Sequence, residues 1–373
     1  MLFMNVRPEM STTSYSSVFW EGRRVLLTGY TGFKGAWLAL WLKQLGAVVH
    51  GLALPPDKDQ LLFPSLNLDI PAHQIDLSDR EAVRSCVEAV VPEVVLHLAA
   101  QPLVRRSYAD PIGTWSTNLM GSLHLLDALR LINSPCAVVM VTTDKVYANQ
   151  EWPWGYREDD RLGGHDPYSA SKAGVELAIA SWRKSFIGSL EHQTPNLAIA
   201  TARAGNVIGG GDGSADRLFP DCISALQDGR PISIRNPLAT RPWQHVLEPL
   251  AGYLLLAERL LNHQLTSPAK ANPYATSYNF GPSTEANRPV YSLVDEVLQH
   301  WPGSWVDKSD ASQPHESTLL HLVSDKAQQE LGWRPRWSFS EAVGHTTNWY
   351  LRRHQGADAR ELCLEQLEVY LSC

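Results

Sequence analysis

The stretch RVLLTGYTGFKGAWLALWLKQLG, residues 24–46, decides the fold. Arg24-Val-Leu-Leu-Thr28 is a short apolar run closed by a glycine, the pattern of a buried parallel strand. Gly29-Tyr-Thr-Gly32-Phe-Lys-Gly35 follows, and then the helical pattern AWLALWLKQLG. A strand, a G-x-x-G-x-x-G turn and a helix in that order form a dinucleotide-binding unit. Gly29 allows the tight turn, Gly32 lets backbone approach a pyrophosphate, and Gly35 permits close helix packing. The helix N-terminus then faces the phosphate charge.

Outward from this unit, strands alternate with helices. Strand patterns recur at Val48–Leu54, just before Asp76, at Glu93–Leu98, Ala137–Thr142 and Leu197–Ala202. Helical patterns lie near 79–90, 112–131 and 168–187. This alternation predicts an α/β fold, a Rossmann-type doubly wound parallel sheet. After about residue 207 glycine, proline and arginine become frequent, with helical runs near 246–262, 290–300 and 323–331. The expected organisation is a loose tail (1–21), a dinucleotide-binding domain (22–207), a smaller α+β substrate-binding region interleaved with it (208–350) and a C-terminal helical tail (351–373).

With 373 residues and 44% hydrophobic content, the chain has ample material for a large core. The net charge of -7 argues against nucleic acid as a partner. Cysteines 86, 136, 222, 363 and 373 are scattered and odd in number, which favours reduced thiols over a disulfide framework or a metal site. The N-terminus lacks the apolar core of a signal peptide. No apolar run approaches the roughly 20 residues of a membrane span. A cytoplasmic enzyme without membrane association is expected.

The chemistry is concentrated at two places. Tyr168-Ser-Ala-Ser-Lys172 puts a phenol and an ammonium on one helix face. A nearby cation favours phenolate, which can take the proton of an alcohol losing hydride. Thr142-Thr143-Asp144-Lys145 ends the preceding strand pattern, where Thr143 can bond the same alcohol. Simple oxidation needs only Thr143, Tyr168 and Lys172, so Asp144 and Lys145 suggest further proton transfers. A lysine base must have its pKa lowered well below ~10.4 by burial or by other cations. The acid expected at the end of the second strand is missing. Asp57 follows two prolines, and Lys58 is a poor sign of a 2′-phosphate site, so NAD and NADP stay open here. Asp76 suits either the adenine amino group or a helix N-cap. Ala99 and Ala100 are small enough to let a cofactor lie against a strand end.

The order of GxxGxxG, TDK, YxxxK and RAGNVIGGGD (203–212) resembles the extended short-chain dehydrogenase/reductases, the NAD-dependent epimerase/dehydratase family. More narrowly, the chain is similar to the nucleotide-sugar 4,6-dehydratases of the CDP-glucose branch. LAAQPLVRRSY (98–108), TTDKVYANQEWPWGYRE (142–158), RNPLATRPWQHVLEPLAGY (235–253) and LGWRPRW (331–337) carry that likeness. The Asp-Lys pair is the branch's mark, where other 4,6-dehydratases usually have Asp-Glu. The resemblance implies a lyase that converts CDP-glucose to CDP-4-dehydro-6-deoxyglucose for deoxysugar synthesis of the O-antigen or lipopolysaccharide type. Tyr168 would take the C4 hydroxyl proton as hydride passes to NAD⁺, with Thr143 positioning the hydroxyl. Lys145 would remove the C5 proton, Asp144 would protonate the departing C6 hydroxyl, and hydride would return to C6.

The resemblance also implies contacts. Gly29, Thr31, Gly32, Phe33, Lys34, Gly35, Asp76, Leu77, Ala99, Ala100, Gln101 and Asn118, with Tyr168 and Lys172, are expected to hold NAD. Asn206, Arg217, Arg241 and Asn279, and less directly Arg235, His245, Gln101 and Arg105, are expected around the nucleotide sugar. Trp152 and Trp154 can line its pocket or belong to the core. No metal is expected. The helices near 112–131 and 168–187 imply a homodimer or homotetramer. Competing readings are a GDP-, dTDP- or UDP-sugar 4,6-dehydratase, a 4-epimerase, and a redox-sensing binding protein. The intact Thr143, Tyr168 and Lys172 argue against the last.

Overall fold

A computed structural model of the chain describes residues 17–57, 62–187, 196–214, 217–268, 270–309 and 319–373. The expected tail over 1–16, Lys58, and the 215–216 part of the loop after Gly211 lie outside the described residues.

Seven parallel strands form the central sheet: β1 (Arg24–Thr28), β2 (Val48–Ala53), β3 (Ala72–Gln74), β4 (Val94–His97), β5 (Cys136–Val141), β6 (Leu197–Ala204) and β7 (Ser277–Phe280). Their spatial order is β7-β6-β5-β4-β1-β2-β3. The order reverses between β1 and β4, the place where sheets of this kind hold ligands, outside the carboxyl ends of the strands. Alternate residues of one strand serve different cores. Val25 and Leu27 join one apolar cluster, while Leu26 joins the other. Burial on both faces is why these strands read as continuous apolar runs rather than alternating ones.

The glycine-turn helix Phe33–Gln44 is buried from Gly35 to Leu42. A Cβ on Gly35 would lie 2.0 Å from the Gly29 carbonyl oxygen, and Gly29 itself has φ +70°. Only glycine fits either position. The helix expected over 112–131 has three parts. Pro111–Trp115 and Gly121–Leu129 are α-helical, and a π turn, Ser116–Met120, lies between them. The YxxxK helix spans Pro167–Trp182, N-capped by Asp166, which accepts from the Ser169 N–H.

The region after 207 is woven into the first. β7 extends the sheet beside β6, and helix Leu247–Thr266 packs on β5 and β6. Short paired strands, Val207–Ile208 with Gln244–His245 and Thr240–Pro242 with Asn287–Pro289, carry the chain over the sheet's carboxyl edge.

The described parts of both expected tails pack on the body. Ser17–Trp20 is a short helix whose Trp20 is fully buried, and Arg23 pairs with Glu93 at 2.7 Å. The C-terminal helix Ala359–Ser372 buries Leu362, Cys363, Leu367 and Tyr370 in the main core. Tyr370 meets Trp41 and Trp337 edge-on and donates to the buried Glu248 carboxylate at 2.9 Å. Apolar area and a buried acceptor hold this helix down, so it is a structural part of the body.

Candidate active site

Strand β5 ends on Val141, and the chain turns through Thr143 into a short 3-10 turn, Asp144–Val146. The Thr143 hydroxyl accepts from the Lys145 N–H at 3.3 Å and donates to the Asp144 carboxylate at 2.9 Å. The same Thr143 acts on the Tyr168 phenol, so one hydroxyl serves both a phenol and a carboxyl. Asp144 is buried beside Gly205, where a Cβ would come within 2.9 Å of its Oδ2 and 3.3 Å of Pro242.

Electrostatics separate the roles of these groups. Burial holds the Asp144 carboxyl above its ordinary range, against the pull of Lys145, Thr143, Arg241 and Lys34. A carboxyl whose pKa is raised is suited to act as an acid. Burial also raises Tyr168 to about 12, with Thr143 and Arg217 opposing it. The phenolate expected from the sequence is thus not favoured by this chain's own groups. Lys172, buried and donating to the Val141 carbonyl at 3.1 Å, is lowered to about 8 by burial, and Glu176 opposes the fall. Lys34 is lowered to about 7, by burial first and then by Arg217. Asp144 and Lys172 also act on Lys34, so the glycine-turn helix reaches into the same site.

A neutral histidine supports the floor of the crevice. The Ser122 hydroxyl donates to the Asn118 carbonyl at 2.6 Å, so it must accept from His97 Nε2 at 3.0 Å. His97 Nδ1 then accepts from the Thr28 hydroxyl at 2.8 Å, and Thr28 accepts from the Ala99 N–H at 3.1 Å. Burial lowers His97 to about 3. Asn118, on the π turn, accepts from the Gln101 N–H and donates to Ser171, whose hydroxyl donates to the Tyr168 carbonyl. The ends of β1 and β4 are thereby tied to the YxxxK helix.

These observations fit a dinucleotide. Gly29 and Gly35 leave no room for side chains. The glycine-turn helix starts at Gly32 with no side-chain cap, so its first N–H groups are left for a ligand. Thr31 is buried and donates to the Leu54 carbonyl. Phe33, Ala99 and Ala100 are half-buried at the crevice. Asp57 is exposed beyond β2. Asp76 is exposed and accepts from the Ser78 N–H, while the N-cap of the following helix is Asp79. Leu77 is buried, with its Cβ 2.6 Å from the position of a Cβ on Gly121.

The substrate set divides. Arg217 pairs with Asp212 at 2.9 Å and acts on Tyr168 and Lys34, and Arg241 acts on Asp144, so both reach the site. Asn206 is half-buried between β6 and Val207–Ile208. Arg105 and Arg235 are exposed. The Gln101 side chain is spent on Leu103 and Thr114.

Asn279 is a correction. It is fully buried on β7, accepts from Tyr147 and donates to the Tyr156 and Val323 carbonyls, so none of its amide faces a ligand. His245 is likewise buried, among Trp37 and Trp337. Trp152 stacks on Tyr156 and Tyr156 on Tyr147, a core column, whereas Trp154 is exposed. Sequence reasoning missed Asp212, Tyr147, Glu176 and Arg203. Arg203, Asp212 and Tyr147 lie inside motifs quoted above, and Glu176 had a signal in its position one turn beyond Lys172.

Among the described residues no cluster of three or more His, Cys, Asp or Glu side chains can hold a metal. None of the described helices is long and apolar enough to cross a membrane. The family model described as GDP-mannose 4,6 dehydratase matches residues 26–346. The chain belongs to that family. Among curated relatives of these 4,6-dehydratases, the CDP-glucose 4,6-dehydratase of Salmonella typhimurium is 42% identical over 95% of this chain and 98% of its own length. Among solved structures, an epimerase from Methanothermobacter thermautotrophicus superimposes with TM-score 0.74 at 22% identity, covering 91% of this chain and 96% of that one. The dTDP-glucose 4,6-dehydratase DesIV of Streptomyces venezuelae, solved with NAD and TYD bound, gives 0.71 at 22% identity, covering 89% and 98%. Both share the fold.

Proposed function

We propose that this member of the 4,6-dehydratase family is an NAD-dependent lyase that converts CDP-glucose to CDP-4-dehydro-6-deoxyglucose and water. One observation carries the reading: a buried carboxyl of raised pKa, Asp144, lies one hydroxyl away from Tyr168. A 4-epimerase has no use for an acid there. A 4,6-dehydratase needs one for the departing C6 hydroxyl. The choice of CDP over other nucleotides rests on the likeness to the Salmonella enzyme and on the Asp144-Lys145 pair.

NAD, when bound, would supply the hydride acceptor and a positive charge. The residues assigned to it are Gly29, Thr31, Gly32, Phe33, Gly35, Ala99 and Ala100, with Lys172. Thr143 orients the C4 hydroxyl and Tyr168 takes its proton. Lys145, whose N–H is held by Thr143, is assigned the C5 proton and its return to C5 at the end, and Asp144 gives its own proton to the leaving hydroxyl, to be replaced by the one Tyr168 took from the C4 hydroxyl. Arg217 and Arg241 suit the diphosphate, since a guanidinium donates two parallel bonds. Asp212 holds Arg217 in place. A role in deoxysugar synthesis in the cytoplasm and assembly as a homodimer complete the reading. Exposed Tyr108, Ile112, Met120 and Leu177, on helical segments that contact one another, support the dimer.

Incubation with NAD and each of CDP-, dTDP-, UDP- and GDP-sugars, followed by the alkali-induced absorbance of a 4-keto product, tests this. CDP-glucose should give the fastest product, and none from CDP-glucose would overturn the reading. In Lys145→Met, C5 exchange with deuterated water should stop. Continued exchange excludes Lys145 as the base.

A further inference from the structure

The YxxxK helix carries a third ionisable group on the same face. Glu176 follows Lys172 by one turn and is buried. Its Oε1 accepts from the Thr142 hydroxyl at 2.6 Å and from Arg203 Nε at 2.9 Å. Its Oε2 accepts from the Thr201 hydroxyl and Arg203 Nη2, each at 2.9 Å, and from Ser277 at 3.4 Å. Thr142 stands immediately before Thr143-Asp144-Lys145, while Thr201 and Arg203 lie on β6 and Ser277 opens β7. Arg203 Nη1 continues the network to the Tyr147 hydroxyl at 2.7 Å and the Glu158 carbonyl at 2.8 Å. One carboxylate thus joins the YxxxK helix to three neighbouring strands.

We infer that Glu176 is a positioning residue for the reaction: its buried charge, offset by Arg203, keeps Lys172 an ammonium, and its bonds hold Thr142 so that Thr143 and Asp144 stay in register with Tyr168. The inference rests on the reading of Tyr168 and Lys172 as the hydride-transfer pair. The charged surroundings of Lys172 show why an anion is needed. Lys34 faces it from the glycine-turn helix, and His97 from β4 is neutral. The Val141 carbonyl is its hydrogen-bond acceptor. Burial acts against the ammonium, and Glu176 is the anion that raises its pKa. On the other side, Arg203 and Arg183 face Glu176. A group with a purely mechanical task would hold Thr142 but leave the charge of Lys172 alone.

The test is an NMR titration of lysine-labelled protein without cofactor, with the Lys172 signal identified by its loss in Lys172→Met. Glu176→Gln should lower the Lys172 midpoint by about one unit, and Arg203→Met, which leaves the carboxylate unopposed, should raise it. In turnover, the alkaline limb of kcat should move down in Glu176→Gln with KM little changed. Glu176→Asp should restore most of the wild-type midpoint. If the single variants do not fold, Glu176→Leu with Arg203→Met removes the pair without leaving a lone charge, and its midpoint should fall. An unchanged midpoint in the folded variants overturns the inference. The titration needs no substrate. A fallen midpoint in a chain that turns over no nucleotide sugar would sink the functional reading and leave this assignment standing.

Discussion

Lys172 is a cation held away from water, and the fold tolerates it for the sake of the site. Its pKa is 10.5 in the free chain and about 8 in the folded protein. Between those values the unfolded chain binds a proton that the native state does not, so stability rises with pH through that window. Below pH 8 both states are protonated and the native state carries the full burial cost. Lys172→Met should therefore gain about 1–3 kcal/mol at pH 7 and lose that advantage as pH approaches 10.5, while activity disappears. Urea unfolding of both proteins at pH 7 and pH 10 checks it; a destabilised variant at pH 7 contradicts it. At this scale the sequence was most legible where spacing alone places a side chain. Four residues on a helix put Tyr168 beside Lys172, and a strand end puts Thr143 and Asp144 within reach. It was least legible for long-range pairs. Arg203 is 27 positions from Glu176 on another element. Asn279 looked like a ligand because amides suit phosphates, but a buried column of tyrosines had already claimed it.

The glycine-turn unit shows why whole elements could be read. Its strand is an apolar run because both faces are buried, and its glycines are required by backbone approach rather than by flexibility. Gly35→Ala puts a methyl 2.7 Å from the Tyr30 Cα and closer still to the Gly29 carbonyl, which are backbone atoms that cannot swing aside. The variant should lose more than about 2 kcal/mol of stability and all measurable NAD binding. Chemical denaturation and calorimetric titration are the checks, and a variant that binds NAD as wild type contradicts the assignment of this turn. The packing of Ser17–Trp20 and Ala359–Ser372 was less legible, for an opposite reason. Both segments are short or polar enough to look peripheral. Trp20 and Tyr370 decide otherwise, because each buries a large aromatic surface against elements far away in sequence.

At the scale of the molecule, an apolar surface and a site at the carboxyl edge of one sheet are the two features that matter. Ile112 is 77% exposed and Leu177 61%, on helical segments that lie together. Isolated exposed apolar residues need no explanation, but a shared face of them suits a second copy of the chain. For the proposed homodimer, Ile112→Asp should shift sedimentation from dimer to monomer with the fold intact. A wild-type protein that sediments as a monomer contradicts the assembly. The interleaving of the two regions explains why a boundary near 207 was only partly legible: β7 and helix Leu247–Thr266 return to the main sheet after the composition has changed. The central claim is that one buried site oxidises C4, eliminates water and returns the same hydride to C6. CDP-glucose deuterated at C4, turned over with NAD in ordinary water and analysed by mass spectrometry and NMR, tests it most directly. The product should be CDP-4-dehydro-6-deoxyglucose carrying the deuterium at C6. Deuterium retained at C4, lost to solvent, or found on a product that still bears its C6 hydroxyl would contradict it.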